Sequence, residues 1–464
     1  MDIPLDRCGF SCGVRSSYDD FEESSNWCLD DRTAYCWREP WREKAFCIWH
    51  ADSDDKPPSE LKDARSGEKE RLDGAILSGI QVLDFPNEFF SGLNLSGASL
   101  HNADFETGHL NEVDFSGADL TDMYGENASF VGADFSDAEL SGVILNNSLL
   151  RSAKFRDTDL RGVDLSECTL AEADFSRANL SGASLWLATF SETNFHEANL
   201  TDTQLNELDL SNCDFHGADL SGAKLRNTDL SESNLEEADL TRNDLRDADL
   251  TDARLYEATI SEIRINVNTE FGEVCAYDKQ SVSLENSDVH RLQAAIWTYQ
   301  RFEHIHRDFG LIDQANGYRY RKVESYRKNQ FQEGNKRAFI VSSINRVISH
   351  HSERPGLVAA WSLAVILAFS VVYPFVGGIR TTSSSSRSPI AYTGQIADHF
   401  EFLPTYLDTF LANLYFSAVT FTTLGYGDIQ PTSPIVQAMA GLESFLGTVL
   451  IAVFVVVLSR QTDG

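Results

Sequence analysis

From Leu95 to Ile265 every fifth residue is Leu, Phe or Ile, with the single exception of Gly125. Two residues before each of these a small side chain recurs, as at Ala118, Ala133, Ala173, Ala178, Ala198 and Ala218, and the position between the two is usually Asp, Asn, Ser or Thr. A period of five matches neither a helix at 3.6 nor a strand at 2. It suits a coil with four five-residue sides per turn, the middle residue of each side pointing to the axis. The small residue is needed because it faces the same crowded axis. About 34 such units stacked at ~4.8 Å per turn make a rod of roughly 40 Å. Met123, Tyr124 and Gly125 break the pattern and predict a local bulge.

Beyond the repeat the apolar spacing changes. Val289, Leu292, Ile296, Tyr299, Phe302, Ile305 and Phe309 recur at three and four, as do Ile312, Ala315, Val323, Tyr326 and Phe331. These predict two amphipathic helices, read as a helical hairpin over 285–334 with Gly310 as its stop. Phe339, Ile340, Ile344, Val347 and Ile348 then predict an interfacial helix over 337–353. Residues 356–379 hold no charge and 434–458 hold only Glu443. Each is long enough to span a bilayer. Between them, 405–421 reads as a helix of about 15 residues, too short to cross and so re-entrant.

Charge changes this picture in one way. The 464 residues carry a net −33, but residues 94–271 hold 35 acids against 11 bases, and 272–355 are net positive. The acidity therefore belongs mainly to the rod. It disfavours nucleic acid as a partner, because phosphate neutralisation needs a basic face. Few Lys and many Asp give a haloarchaeal-like composition, suited to concentrated salt that screens surface repulsion. The repeat alone accounts for part of it: 15 of the 35 acids precede the central residue, and the other 20 have no place in the motif. Lys336, Arg337, Arg346 and Arg354 before the first span and Arg460 after the second put both termini in the cytoplasm, with Ser383–Ser386 outside. Residues 1–40 lack the apolar core of a signal peptide.

The rod resembles the pentapeptide-repeat family, whose A-(D/N)-L-x-x pattern implies a right-handed quadrilateral β-helix over 72–271. One option the resemblance raises is a DNA-mimicking rod; a spacer or docking surface for an unknown protein or ligand fits the rest of the chain better. The spans, the re-entrant helix and Thr422-Thr423-Leu424-Gly425-Tyr426-Gly427-Asp428 resemble the pore domain of two-transmembrane potassium channels, over 355–460. The fold class implied is a multidomain membrane protein: β-helix, helical hairpin and all-α pore. The resemblance implies a filter over 423–428 in which carbonyls of Thr423, Leu424, Gly425 and Tyr426 and the Thr423 hydroxyl replace the water of K⁺. Gly425 and Gly427 allow backbone angles closed to other residues. Leu424 stands where the family usually has Val. Gly447 falls at a frequent gating hinge, and Glu443 is an ionisable group inside the bilayer that either bonds behind the filter or lines the cavity. One chain supplies one filter strand, so a homotetramer in the cell membrane is expected.

Cys8, Cys12, Cys28, Cys36 and Cys47 crowd the first 55 residues, with His50 close behind. Zinc takes four N or S ligands, so Cys28, Cys36, Cys47 and His50 form a candidate structural Zn²⁺ site, with Cys8 and Cys12 as another half-site that is the alternative to Cys28. Buried thiols among the tryptophans are the alternative. Residues 56–71 read as a linker. No nucleophile–base set or phosphate loop stands out, so an enzyme is not expected.

Overall fold

The computed structural model describes residues 11–13, 27–30, 33–36, 49–50, 56–64, 72, 74–81, 85, 89–279, 291–350, 354–376, 379–381, 402–425, 427–431 and 433–462. The chain divides into two units, Met1–Leu311 and Ile312–Gly464.

In the first unit, strands β1 (Ser11–Gly13), β2 (Trp27–Asp30) and β3 (Thr33–Cys36) form an antiparallel sheet in the order β1-β3-β2, and a short helix α1 (Pro58–Ala64) follows. The coil then occupies most of the unit. Parallel bridges join residues 20 apart, from Asn94↔Asp114 through Asp244↔Arg264. Bridging residues come every five, so each turn has four sides. The central residue and the small residue of each side are buried from Leu95 to Ala258, and Ile260 is half-buried. Every Leu or Phe so enclosed contributes about 1.5–3 kcal/mol.

Backbone donors are used in a fixed rota. Leu95 N donates to Asp114 O (2.7 Å), Asp114 N to Leu93 O (2.9 Å), and Ala98 N to Leu95 O (3.0 Å). The last bond closes a corner whose third residue has positive φ, 62° at Gly97, which is the type II turn pattern. That angle recurs two residues after each central residue for most of the coil's length. Glycine holds some of these corners, but sixteen are Asp or Glu, including Glu112, Asp137, Glu172, Glu197 and Glu257. Here are most of the acids that the motif left without a place. A corner is the outermost point of the coil, so an ion there stays in water, while its backbone takes the left-handed strain.

The expected bulge at 123–125 is absent. Bridges Asp104↔Tyr124 and Tyr124↔Ile144 keep the spacing of 20, and Met123 is fully buried. A Cβ on Gly125 would lie 3.0 Å from the Phe130 ring and 3.1 Å from Leu145 Cδ2. The neighbouring Phe thus fills the space of the missing side chain, and the coil runs on unbroken. True irregularities lie near the ends: Ile76↔Ser99 spans 23 residues and Asp249↔Glu270 spans 21.

Inside, Phe135, Phe155, Phe175, Phe195 and Phe215 stack at centroid distances of 4.9–5.3 Å with planes within 7°. Polar residues at the small position bond inward to carbonyls, as Thr193 Oγ1 does to Leu170 O (2.9 Å). Cys168 and Cys213 sit there too, buried, and burial pushes the Cys213 thiol up to about 12. The last turn is closed by a 3₁₀ turn, Ala276–Asp278, and by helix α2, Arg291–Asp308. Tyr277 donates to Glu236 Oε1 (2.9 Å), Cys275 N donates to the Tyr299 hydroxyl (3.1 Å), and Phe271 packs on Phe302 at 4.8 Å.

The second unit opens with α3 (Ile312–Gln332), α4 (Lys336–Ser349) and α5 (Pro355–Val376). The boundary between units falls within the stretch read as one hairpin. Each helix finds its partner inside its own unit: α2 on the end of the coil, α3 on α4 through Phe331–Phe339 (5.1 Å) and through Arg327 over the Phe339 ring (5.3 Å). Helix α4 begins one residue before the expected interfacial helix and reaches α5 where Trp361 Nε1 donates to Val347 O (2.9 Å). Ile340, Val341, Ile344 and Val347 remain exposed along it. Strand β4 (Ile379–Thr381) pairs antiparallel with β5 (Ile429–Pro431), and α6 (Phe402–Phe421) and α7 (Pro434–Thr462) complete the unit.

Helices α5 and α7 are both long and apolar enough to cross a membrane, and most of each is left unburied by the chain itself. Helix α6 has 20 residues, more than the sequence suggested. Pro404 falls in its first turn, where a missing N–H costs nothing, so the helix starts three residues early. Length therefore does not set α6 apart from the spans; polar positions such as Asp408, Thr409 and Asn413 do.

Candidate ion-conducting site

The site is built around the end of α6. This helix packs between α5 and α7, with Phe416 in a cluster with Tyr373, Ile379 and Val436, and Phe421 in another with Val358, Leu450 and Val457. It stops at Phe421. Thr423 N then donates to Thr420 O (3.1 Å) and Leu424 N to Val419 O (3.1 Å), the paired bonds of a Schellman turn. That turn needs a left-handed residue, and Thr423 supplies it at φ 58°. Glycine is the usual choice there; a β-branched Thr is a genuine outlier of the kind that clusters at functional sites. Its hydroxyl donates to Thr422 O (2.6 Å), and that of Thr422 to Ala418 O (2.7 Å).

Left-handed backbone recurs after the turn. Gly425 has φ 51° and Gly427 has φ 75°, as the sequence pattern requires of them. Leu424 is 60% exposed, and Thr422, Thr423, Gly425, Gly427 and Asp428 are exposed with it. Tyr426 lies outside the described residues. The negative end of the α6 dipole is directed at this segment, an arrangement that favours a cation.

Two residues singled out in the second span are explained by their neighbours. Glu443 is fully buried. Tyr373 of α5 donates to its Oε2 (2.5 Å), and Ser417 of α6 is hydrogen-bonded to its Oε1. So within the chain Glu443 faces protein, bonded one helix turn before the end of α6. Nothing in the motif pointed to Tyr373 or Ser417. The available signal was their chemistry: a Tyr and a Ser in apolar helices need partners. Gly447 marks a close approach. A Cβ there would overlap the carbonyl oxygen of Phe421, with the carbonyl carbon at 2.8 Å. Helix α7 is continuous through it.

The cysteine cluster is only partly described. Cys8 and Cys47 lie outside the described residues. Cys12, Cys28 and Cys36 are strand positions, with Trp27 opposite Cys36, Tyr35 opposite Cys28 and Ala34 opposite Cys12. Cys12 and Cys36 thus occupy register positions of one parity and Cys28 the other. His50 is buried. Among the described residues no three metal-ligating side chains converge.

Comparison with known proteins speaks to both halves. Residues 390–462 match a family model described as ion channel. The chain joins an ion-channel domain to a repeat coil. Five stretches between 109 and 255 match the pentapeptide-repeat model, and solved structures similar to this chain are pentapeptide-repeat proteins. HetL, involved in heterocyst differentiation regulation in the cyanobacterium Nostoc, is 27% identical over 47% of this chain and 95% of its own, with a TM-score of 0.31. Rfr23 from the cyanobacterium Cyanothece is 26% identical over 27% and 88%, with a TM-score of 0.16. QnrB1, a plasmid-mediated fluoroquinolone resistance protein, is 21% identical over 43% and 92%, with a TM-score of 0.22. No curated protein matches. The ion-channel match together with the two long apolar helices makes this a membrane protein.

Proposed function

We propose that the chain is one subunit of a homotetrameric, potassium-selective channel that passes K⁺ down its electrochemical gradient. The observation that carries this is the filter-like segment: left-handed backbone at Thr423, Gly425 and Gly427, directly after a helix that ends on Thr-Thr-Leu-Gly-Tyr-Gly-Asp. In this reading the carbonyls of Thr423, Leu424, Gly425 and Tyr426, with the Thr423 hydroxyl, exchange for the ion's water, four strands to a ring. Asp428 sits at the outer mouth. The exposure of Thr422, Thr423, Leu424, Gly425, Gly427 and Asp428 in one chain is what a strand awaiting three neighbours requires. Leu424 in place of the usual Val turns its side chain from the ion path and changes packing more than coordination. Gly447 serves as the hinge of gating.

In the same reading the exposed apolar row on α4 lies at the inner membrane surface and both termini are cytoplasmic. The coil, taken as a right-handed β-helix, serves assembly or regulation and offers its surface to an unknown protein or ligand. Reconstitution of the full chain into planar bilayers under a K⁺ gradient tests this. Currents should reverse near the K⁺ equilibrium potential and vanish in Gly425→Ala, where a side chain is forced onto a left-handed backbone. Correctly assembled tetramers that stay silent would leave the other reading, a membrane-anchored repeat protein with a vestigial pore.

A further inference from the structure

The proton count around Glu443 does not close with an ionised carboxylate. Three hydrogen-bonded contacts meet there. The Tyr373 hydroxyl reaches Oε2 at 2.5 Å, the Ser417 hydroxyl reaches Oε1, and the same Ser417 oxygen lies 2.8 Å from the carbonyl oxygen of Ile366 on α5. Each contact needs one proton. Tyr373 and Ser417 own one apiece. The Ile366 carbonyl only accepts, so the Ser417 proton belongs to it. The Ser417–Glu443 contact then places two oxygens together with no hydrogen between them, unless the carboxyl brings its own.

We propose that Glu443 is carried as a neutral carboxylic acid whose Oε1–H donates to Ser417, and that in this form it positions α6 between the two spans. The chain of donors then runs in one direction: Glu443 to Ser417, Ser417 to Ile366, with Tyr373 donating to the remaining carboxyl oxygen. All three contacts are satisfied. No ion pair reaches Glu443 among the described residues, and its partners on α5 and α6 are both uncharged. Complete burial in an apolar helix favours the same state, because an isolated buried charge is far costlier than a bonded neutral acid. Glu443 is thus a positioning residue: it touches no ion, but it fixes the helix whose C-terminal turn carries Thr423.

The link to conduction rests on the channel reading; the protonation does not. Infrared difference spectra of the full chain in lipid vesicles, wild type minus Glu443→Gln at neutral pH, read the carboxyl directly. The expected result is a carboxylic-acid C=O stretch that deuteration shifts, that is missing in the Gln variant, and that moves when Ser417→Ala removes its acceptor. A carboxylate signature at Glu443 overturns the proposal. Variants supply a second arm. A carboxamide still donates to Ser417 and accepts from Tyr373, so Glu443→Gln should recover most of the melting temperature and K⁺ flux that Glu443→Ala loses. The Ala loss should be on the order of tenfold in flux, for unsatisfied buried partners. A Gln variant as damaged as Ala counts against the proposal. If no variant conducts, the channel reading fails while the infrared arm still decides the proton.

Discussion

The coil and the pore domain use strained backbone in opposite ways. In the coil, left-handed residues recur at corner after corner, from Asn102 to Glu262, and each has equivalents 20 residues away. No single one decides anything. In the ion-channel domain Thr423, Gly425 and Gly427 are three such residues in a run of five, and nothing else among the described residues repeats them. A repeating fold spreads its cost over many equal sites; the segment after α6 concentrates it. Side-chain substitutions should therefore fail abruptly in the pore and gradually in the coil.

The sharpest way to break that contrast is one methyl group. Gly447→Ala places a Cβ on the Phe421 carbonyl, which is backbone and cannot swing aside. Helix α7 must then move away from the end of α6, and Thr423 moves with it. We expect K⁺ current to fall below detection in bilayers while the coil's thermal transition, followed by circular dichroism, stays where it was. Unchanged current would mean that α6 and α7 separate freely, and that the turn at Thr423 is held by other contacts.

A larger deletion in the coil should do less. Phe175→Ala removes a ring stacked between Phe155 (4.9 Å) and Phe195 (5.3 Å). The cavity costs ~3–5 kcal/mol. Because a coil of this size shifts by roughly 2–4 °C per kcal/mol, its transition should drop visibly, yet the protein should still assemble and conduct. Loss of current in Phe175→Ala, with the coil still folded, would show the two regions to be coupled far more tightly than the contrast allows.

What could be read from the sequence follows the same divide. Period and phase announced the coil, because each side obeys one rule: large residue inside, small residue two before it. The rule says nothing of corners, so the acids at Glu112, Asp137 or Glu197 looked surplus until the turn gave them a place. Gly125 misled for the converse reason: a missing side chain reads as a break, but Phe130 lies across the vacancy. In the ion-channel domain the left-handed glycines Gly425 and Gly427 were legible from their motif, and Glu443 from its charge. Tyr373, Ser417 and Phe421 were not, since they meet Glu443 and Gly447 across 70, 26 and 26 residues of chain. No local spacing encodes such a meeting. The stretch read as a hairpin lacks the same information: periodicity shows that α2 and α3 each have an apolar face, not which surface covers it.

The smallest effect tests the coil's tolerance most directly. Leu187 is an exposed corner residue at φ 56°, beside exposed Trp186. Five residues before it, Gly182 holds the preceding corner at φ 71°, and a Cβ there meets nothing within 4 Å. Leu187→Gly removes a left-handed penalty of ~1–2 kcal/mol but loosens the unfolded chain by ~0.5–1 kcal/mol, so the coil should gain at most about 1.5 kcal/mol. Gly182→Ala should lose a similar amount, with no packing change to confuse the sign. Equal and opposite shifts in the coil's melting temperature would mean that corners differ only in backbone cost and are interchangeable around the rod. If Leu187→Gly instead destabilises, the Leu side chain is making a contact worth more than its strain. That corner would then be a particular place on the coil, as Thr423 is in the pore, and the first where the repeat has been put to a use of its own.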